Sequence, residues 1–329
     1  MLNSRWLRLA RIAALIAATI LPSRAFGADY PTKLVRIIVP FPPGGVYDLY
    51  SRMAAEHLTK AFGQQFIIEN SPGGQGVLGS QLAAKAEPDG YTLLMGGQAT
   101  HATNPHLFGN MKFNTLTDFE PIAMVAMLGN VLVVNPSLPV KTVQEFVAYS
   151  KANPGKVTFS HAGSGTSMSI AGELFKEKAG VKLLSIPYRG SALAANAVVV
   201  GEVQSMFANT ISVISQIKAG TVRPLGVTTT ARQDLIPDVV PISEQGVPGY
   251  EMRSWFGLFA PAKTPKPIIS KINAELRKMV ELPEYKKRIL ESGATPGAFT
   301  PEEFSSFVKG DYSAIGKIVR EAGLKAESN

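Results

Sequence analysis

The sequence predicts an α/β fold in two lobes, each a mostly parallel sheet flanked by helices. Three observations carry this expectation. Short β-branched runs alternate with amphipathic runs of near-helical period, the rhythm of a doubly wound sheet. The rhythm restarts after Pro121 as a second set of strands and helices. About 300 residues remain once an N-terminal leader is set aside, more than one hydrophobic core usually holds.

The leader comes first. Arg5, Arg8 and Arg11 precede an apolar stretch at 12–21 that is too short to span a bilayer, and Ala25-Phe26-Gly27 supplies small residues for an export peptidase. Residues 1–27 therefore read as a cleavable signal peptide, and the expected location is the bacterial periplasm. The chain has no cysteine, which excludes disulfides, thiol chemistry and a lipid anchor on cysteine. Formal net charge is +8, and the four arginines of the leader, with no acid among them, leave +4 for the remainder. No Lys/Arg run with interleaved aromatics occurs, so nucleic acid is not an expected partner, whereas a mild positive field favours small anions.

The first lobe opens on Leu34-Val35-Arg36-Ile37-Ile38-Val39, which stops at Pro40-Phe41-Pro42-Pro43-Gly44-Gly45 before a helical run at 49–62. That is strand, tight loop, helix. Strands are expected at 36–40, 66–69 and 92–95, with a helix at 77–86. The apolar run at 122–134, interrupted by Gly129-Asn130, reads as a strand passing between lobes. In the second set, Thr142 is a plausible N-cap for a helix over 143–152 that stops at Asn153-Pro154-Gly155. Strands are expected at 157–160, 183–186, 203–207 and 222–228, and helices at 169–179 and 192–200. After Pro248-Gly249 come a strand at 255–260 and helices at 268–282 and 301–322, the last opened by a Thr300/Glu303 capping box. The division is residues 28–125 plus 255–329 for lobe one and 126–254 for lobe two.

Two loops have the chemistry of anion cradles. In 41–48 the backbone amides of Gly44, Gly45, Val46 and Tyr47 lie at a helix N-terminus, where unpaired N–H groups and the helix dipole favour a carboxylate. Asp48 reads as an orienter of this loop, because a carboxylate facing an anionic solute would repel it. The run Ser160-His161-Ala162-Gly163-Ser164-Gly165-Thr166-Ser167 places Ser164, Thr166 and Ser167 in an equivalent second loop, although Ser/Thr capping of the next helix accounts for some of it. Tyr188 and Arg189 follow a strand, and Arg189 suits two-point pairing with a carboxylate. Thr100 and Asn209, each beyond a strand end, complete the candidate contacts. Gly74-Gln75-Gly76-Val77-Leu78-Gly79 is a literal G-x-G-x-x-G, but it follows the second strand instead of the first and reads as a tight turn. The four histidines form no metal pattern, His57 reads as a surface residue, and no G-x-S-x-G elbow exists. No catalytic residue, metal or cofactor is expected.

Ordered motifs over essentially all of the mature chain carry a family resemblance. They are Tyr30-Pro31-x-Lys33, Val39-Pro40-Phe41-Pro42-Pro43-Gly44-Gly45-x-x-Asp48, Glu69-Asn70-x-Pro72-Gly73, Pro88-Asp89-Gly90-Tyr91-Thr92-Leu93-Leu94, Asn153-Pro154-Gly155-Lys156, Pro187-Tyr188-Arg189-Gly190, Gly246-Val247-Pro248-Gly249-Tyr250 and Trp255-x-Gly257-Leu258-x-Ala260-Pro261. The chain resembles the extracytoplasmic solute receptors of the tripartite tricarboxylate transporter family, the Bug receptors. The resemblance implies a type II periplasmic-binding-protein fold and a small carboxylate gripped between 41–48 and 163–167, often through water. The carboxylate would be a di- or tricarboxylate, an acidic amino acid or an aromatic acid. It also implies a monomeric receptor that delivers its solute to a membrane transporter of one large and one small subunit. His161, Ser169, Gln204 and Tyr47 depart from the family pattern and bear on which acid is held; Tyr47 is placed to stack on an aromatic acid. A sensor subunit presenting the solute to a membrane kinase, and a periplasmic enzyme acting on a carboxylate, are the alternatives.

Overall fold

The computed structural model describes residues 30–324, so the expected signal peptide lies outside the described residues. The strands are β1 (Val35–Val39), β2 (Phe66–Asn70), β3 (Thr92–Gly97), β4 (Phe119–Val134), β5 (Thr158–His161), β6 (Leu184–Pro187), β7 (Ser205–Asn209), β8 (Arg223–Val227), β9 (Arg253–Pro261) and β10 (Ala294–Pro296). The α-helices are α1 (Val46–Phe62), α2 (Val77–Ala84), α3 (Asn104–Leu107), α4 (Val143–Ala152), α5 (Ser167–Ala179), α6 (Ser191–Val199), α7 (Thr210–Lys218), α8 (Lys266–Glu281), α9 (Pro283–Glu291) and α10 (Pro301–Glu321).

The fold is mixed α/β, a sheet of order β2-β1-β3-β9-β4-β7-β5-β6 with β8 and β10 paired to β4. Parallel pairing is confined to the outer strands, β1 with β2 and β3, and β5 with β6 and β7. The central pairings are antiparallel, because β4 carries the chain one way through the sheet and β9 carries it back. The change of partners falls at the sequence interruption: β4 pairs with β9 up to Gly129, and from Asn130 it pairs with β7. Asn130 is buried there, its side chain donating to the Phe207 carbonyl at 2.8 Å and its N–H to Thr228 Oγ1 at 2.8 Å.

Local signals explain most boundaries. Gly63 in the left-handed region at φ 68° ends α1. Thr142 caps α4 by accepting from the Glu145 N–H, and the Thr300/Glu303 capping box opens α10. Three helices have no counterpart in the expected elements, α3, α7 and α9. Helix α3 is a single turn with Pro105 in its first turn, α7 carries three β-branched residues in its opening turn, and α9 is short and mostly polar.

Each half of the sheet has its own core. Ile37, Val39, Tyr50, Leu58, Phe256, Ile272 and Leu276 pack on one face of the first half, and Ile38, Leu94, Trp255, Phe259 and Phe304 on the other. Phe146, Phe159, Phe175, Phe207 and Tyr250 fill the second half. Ala102 and Leu107, together with Ile315, Ile318 and Val319 of α10, also bury into this second cluster. The segment after β3 and the C-terminal helix therefore tie the two halves together.

Candidate functional site

The loop after β1 is built around Asp48. This buried carboxylate accepts from the Gly44 N–H at 3.0 Å, from Arg52 Nε at 2.8 Å and its second guanidinium nitrogen at 3.0 Å, and from Asn70 Nδ2 at 3.2 Å. Asn70 also donates to the Phe41 carbonyl at 3.0 Å, which fixes both ends of the loop. The hydrogen bond from Arg52 is the main cause that holds the Asp48 carboxyl below its usual range, against the opposing effect of burial. Asp48→Asn keeps the shape but turns an NH2 group toward these donors. The expected loss is about 2 kcal/mol of folding stability, checked by urea denaturation of both proteins at neutral pH.

Tyr47 is buried and points into the core of the first half, its ring 4.3 Å from Phe41 and 4.8 Å from Phe256 between centroids. Burial pushes its hydroxyl far above the usual range, with the neighbouring Ala99 and Thr100 acting against it. Tyr47 thus positions Phe41 and does not reach solvent. Thr100 is equally enclosed, its hydroxyl accepting from the Gly97 N–H at 2.9 Å and contacting His101 Nδ1 at 2.9 Å.

Across the sheet, the loop after β5 is held by its own side chains. Thr166 caps α5, donating to the Gly163 carbonyl at 2.8 Å and accepting from the Ser169 N–H at 3.4 Å. The Gly163 N–H donates to His161 Nδ1 at 3.2 Å and the Gly165 N–H to Ser169 Oγ at 3.2 Å. Gly165, at φ +86°, sits where a Cβ would lie 2.4 Å from Leu107 Cδ1 and 3.5 Å from Gln75 Oε1, so this loop touches the segments after β2 and β3.

Between the two loops lies a cleft of about 680 Å³ at the carboxyl ends of β1, β3, β5 and β6, the usual ligand position in an open α/β sheet. Phe41, Pro42, Gln75 and Ala99 form one wall. Ala162, Gly163, Gly165 and Thr166, with Pro187 to Gly190, form the other. Of the residues singled out in the sequence, Phe41, Thr166, Tyr188 and Arg189 line it. Gly44, Gly45 and Val46 stand at the exposed or half-exposed start of α1, and Ser164 lies within the second loop beside the lining glycines. Ser167 is buried at the start of α5, with Asn209 Nδ2 at 3.5 Å, and Asn209 also donates to Asn130 Oδ1. Tyr188 donates to Glu202 at 2.8 Å, and its hydroxyl is pushed up to about 12 by burial and by that carboxylate. Arg189 is exposed in the cleft and has no ion-pair or hydrogen-bond partner among the described residues.

Gln75 and Ala99 line the cleft without having stood out in the sequence. Gln75 adopts φ 54°, ψ 34°, a left-handed conformation unusual for a non-glycine residue. It lies between Gly74 and Gly76 in the short 3₁₀ turn that leads into α2, so the G-x-G-x-x-G stretch is a turn, as its position after β2 implied. His57 corrects the expectation of a surface histidine. The packing of α1 on α8 buries it, with Glu275 at 3.5 Å and the Tyr285 ring edge-on.

Known proteins share this arrangement over the whole length. The family model described as "Tripartite tricarboxylate transporter family receptor" matches residues 50–324. Protein BugT of Bordetella pertussis is 32% identical over 320 residues, covering 97% of this chain and 98% of its own. A solved Rhodopseudomonas palustris protein with adipate is 32% identical at a TM-score of 0.80, covering 91% of this chain and 100% of that one. MatC from the same organism, with bound malate, is 29% identical at a TM-score of 0.76, covering 88% of this chain and 100% of that one.

Proposed function

The chain belongs to the tripartite tricarboxylate transporter receptor family, and from that premise we propose that it is an exported receptor that captures a small carboxylate and performs no chemistry on it. The observation that carries this reading is the unpaired Arg189 facing Phe41 across a cleft bounded by two glycine loops. A guanidinium matches a carboxylate with two parallel donors. The adipate and malate found with two related structures are carboxylates as well. The two halves of the sheet act as lobes, 28–125 with 255–329 and 126–254. They are joined at Gly129-Asn130, and bending there closes them on the solute. The closed form docks on a membrane transporter of one large and one small subunit, in the periplasm, after removal of residues 1–27. No helix among the described residues is long and apolar enough to cross a membrane.

The test is a thermal-shift panel of mono-, di- and tricarboxylates and neutral analogues on ligand-stripped protein. A carboxylate held at 100 times its Kd should add about 2.7 kcal/mol of stability, while its amide adds nothing. A flat response to every acid overturns the receptor reading.

A further inference from the structure

We propose that Gln75 determines specificity at the cleft, and that the solute it selects is a carboxylate carrying a neutral group that both donates and accepts a hydrogen bond, a hydroxyl or a carboxamide. This rests on the carboxylate-receptor reading and narrows it. The carboxylate itself needs only donors, and both walls supply them. Arg189 offers its guanidinium, and the N–H groups of Ala162, Arg189 and Gln75 donate in no hydrogen bond among the described residues.

The backbone at Gln75 is the first observation. Gly73, Gly74, Gln75 and Gly76 all have positive φ, at 143°, 54°, 54° and 95°. Glycine adopts such a backbone freely, whereas a side chain there is strained. Of these four residues, the one that carries a side chain is the one that lines the cleft. The turn is fixed by buried Asn104, whose Nδ2 donates to the Gln75 carbonyl at 2.9 Å, and by the Gly76 and Leu78 N–H groups, which donate to the Gly73 carbonyl at 3.0 and 3.3 Å. The Gln75 side chain reaches toward the opposite wall, its Oε1 3.5 Å from where a Cβ on Gly165 would stand.

The second observation is what the other lining side chains have left to offer. Arg189 only donates. Tyr188 gives its hydroxyl proton to Glu202, and Thr166 gives its own to the Gly163 carbonyl. The remaining lining residues are apolar or glycine. Gln75 alone among the lining side chains has both a donor, Nε2, and an acceptor, Oε1, with neither taken among the described residues. A bare carboxylate uses the donor and leaves Oε1 facing a group that cannot donate to it. A hydroxyl or a carboxamide uses both. A polar group left unmet in a closed cleft is costly, so the discrimination falls against the solute that lacks the substituent.

The experiment is isothermal titration of ligand-stripped protein with butyrate, succinate and benzoate, and with the derivatives of each that carry one added hydroxyl or carboxamide. The expected result is that in at least one series a derivative binds about ten-fold tighter than its parent acid or more. Gln75→Gly should abolish that preference while the free protein keeps its melting temperature, since glycine adopts the same backbone without strain. Arg189→Gln should weaken parent and derivative alike and keep their ratio. Parents and derivatives that bind alike in every series would overturn this inference and leave the receptor reading standing. A preference unchanged in Gln75→Gly, or lost equally in Arg189→Gln, would overturn the role given to Gln75. Titrations silent for these acids and for the wider carboxylate panel would overturn both readings.

Discussion

Replacing Gly79 by valine is expected to cost about 3 kcal/mol of folding stability or more and to loosen the cleft at the same time. Gly79 lies in α2, where the helix passes directly over the loop that follows β1. A Cβ there would stand 2.7 Å from the Ser71 carbonyl oxygen, 2.8 Å from Pro40 Cα and 3.0 Å from Pro40 Cβ. Two of these are backbone atoms that no rotamer change can move aside, so α2 must back away. Backing away also shifts Gly76, at φ +95°, where a Cβ would sit 3.1 Å from Phe41 Cζ and 3.0 Å from Thr100 Cγ2. The Phe41 wall therefore moves with the helix, and carboxylate affinity falls along with stability. Gly45→Val is the control, because Gly45 has φ −85° and only the Pro42 carbonyl, at 3.8 Å, within reach of a new Cβ. Urea denaturation of the three proteins checks the difference. A Gly79→Val protein within about 1 kcal/mol of wild type would show that this close approach is not a fixed feature of the fold.

His101→Phe is expected to make folding stability less sensitive to acid. The imidazole is fully buried, stacked on Phe259 at 3.9 Å between centroids and edge-on to Phe119. Burial pushes its pKa down to about 3, so it is neutral in the fold at every ordinary pH. The hydrogen-bond network is complete when Nδ1 carries the proton and donates to Thr100, whose hydroxyl donates to the Gly97 carbonyl; Nε2 then faces the aromatic cluster without a partner. Protonation would bury a cation among those rings. The folded pKa lies below that of the unfolded chain, near 6.5. The unfolded state therefore binds the extra proton between these values, and stability falls as pH drops through that window. At pH 4 the loss assigned to this one group is about 3 kcal/mol relative to pH 7. Asp311 works in the opposite direction. Burial raises it to about 6, against the hydrogen bond from Trp255 Nε1 at 2.7 Å, so its contribution grows as pH falls toward 4. It titrates in both proteins and cancels in the comparison. Denaturation at pH 7 and pH 4 should show wild type losing about 3 kcal/mol more than His101→Phe, and equal losses would remove His101 from the acid response.

Much of the element order is legible in the sequence because the signals are local. The Thr142 and Thr300 caps, the Gly63 stop and the β-branched run at 35–39 act within one turn of the residues that carry them. The interruption at Gly129-Asn130 is local too, and there β4 changes partners. The site was legible only in part. Phe41, Thr166, Tyr188 and Arg189 line the cleft, because loops at the carboxyl ends of parallel strands converge in any such sheet. Tyr47 was read as a solute contact because nothing in a loop sequence tells which way a ring turns; packing against Phe256, more than two hundred positions away, turned it inward.

The sequence by itself thus determined the alternation of strands and helices, the two glycine loops at strand ends and the single arginine beside one of them, since each follows from residue chemistry at short range. Only the tertiary structure decided which donors of those loops remain available to a solute. That outcome depends on pairings between distant segments: Asn70 on the Asp48 carboxylate that takes the Gly44 N–H, the Gly165 backbone against Leu107, and the Tyr47 ring against Phe256. A hydrogen-bonding group can serve a ligand only when the fold has not already used it, and that is a property of the whole packed chain.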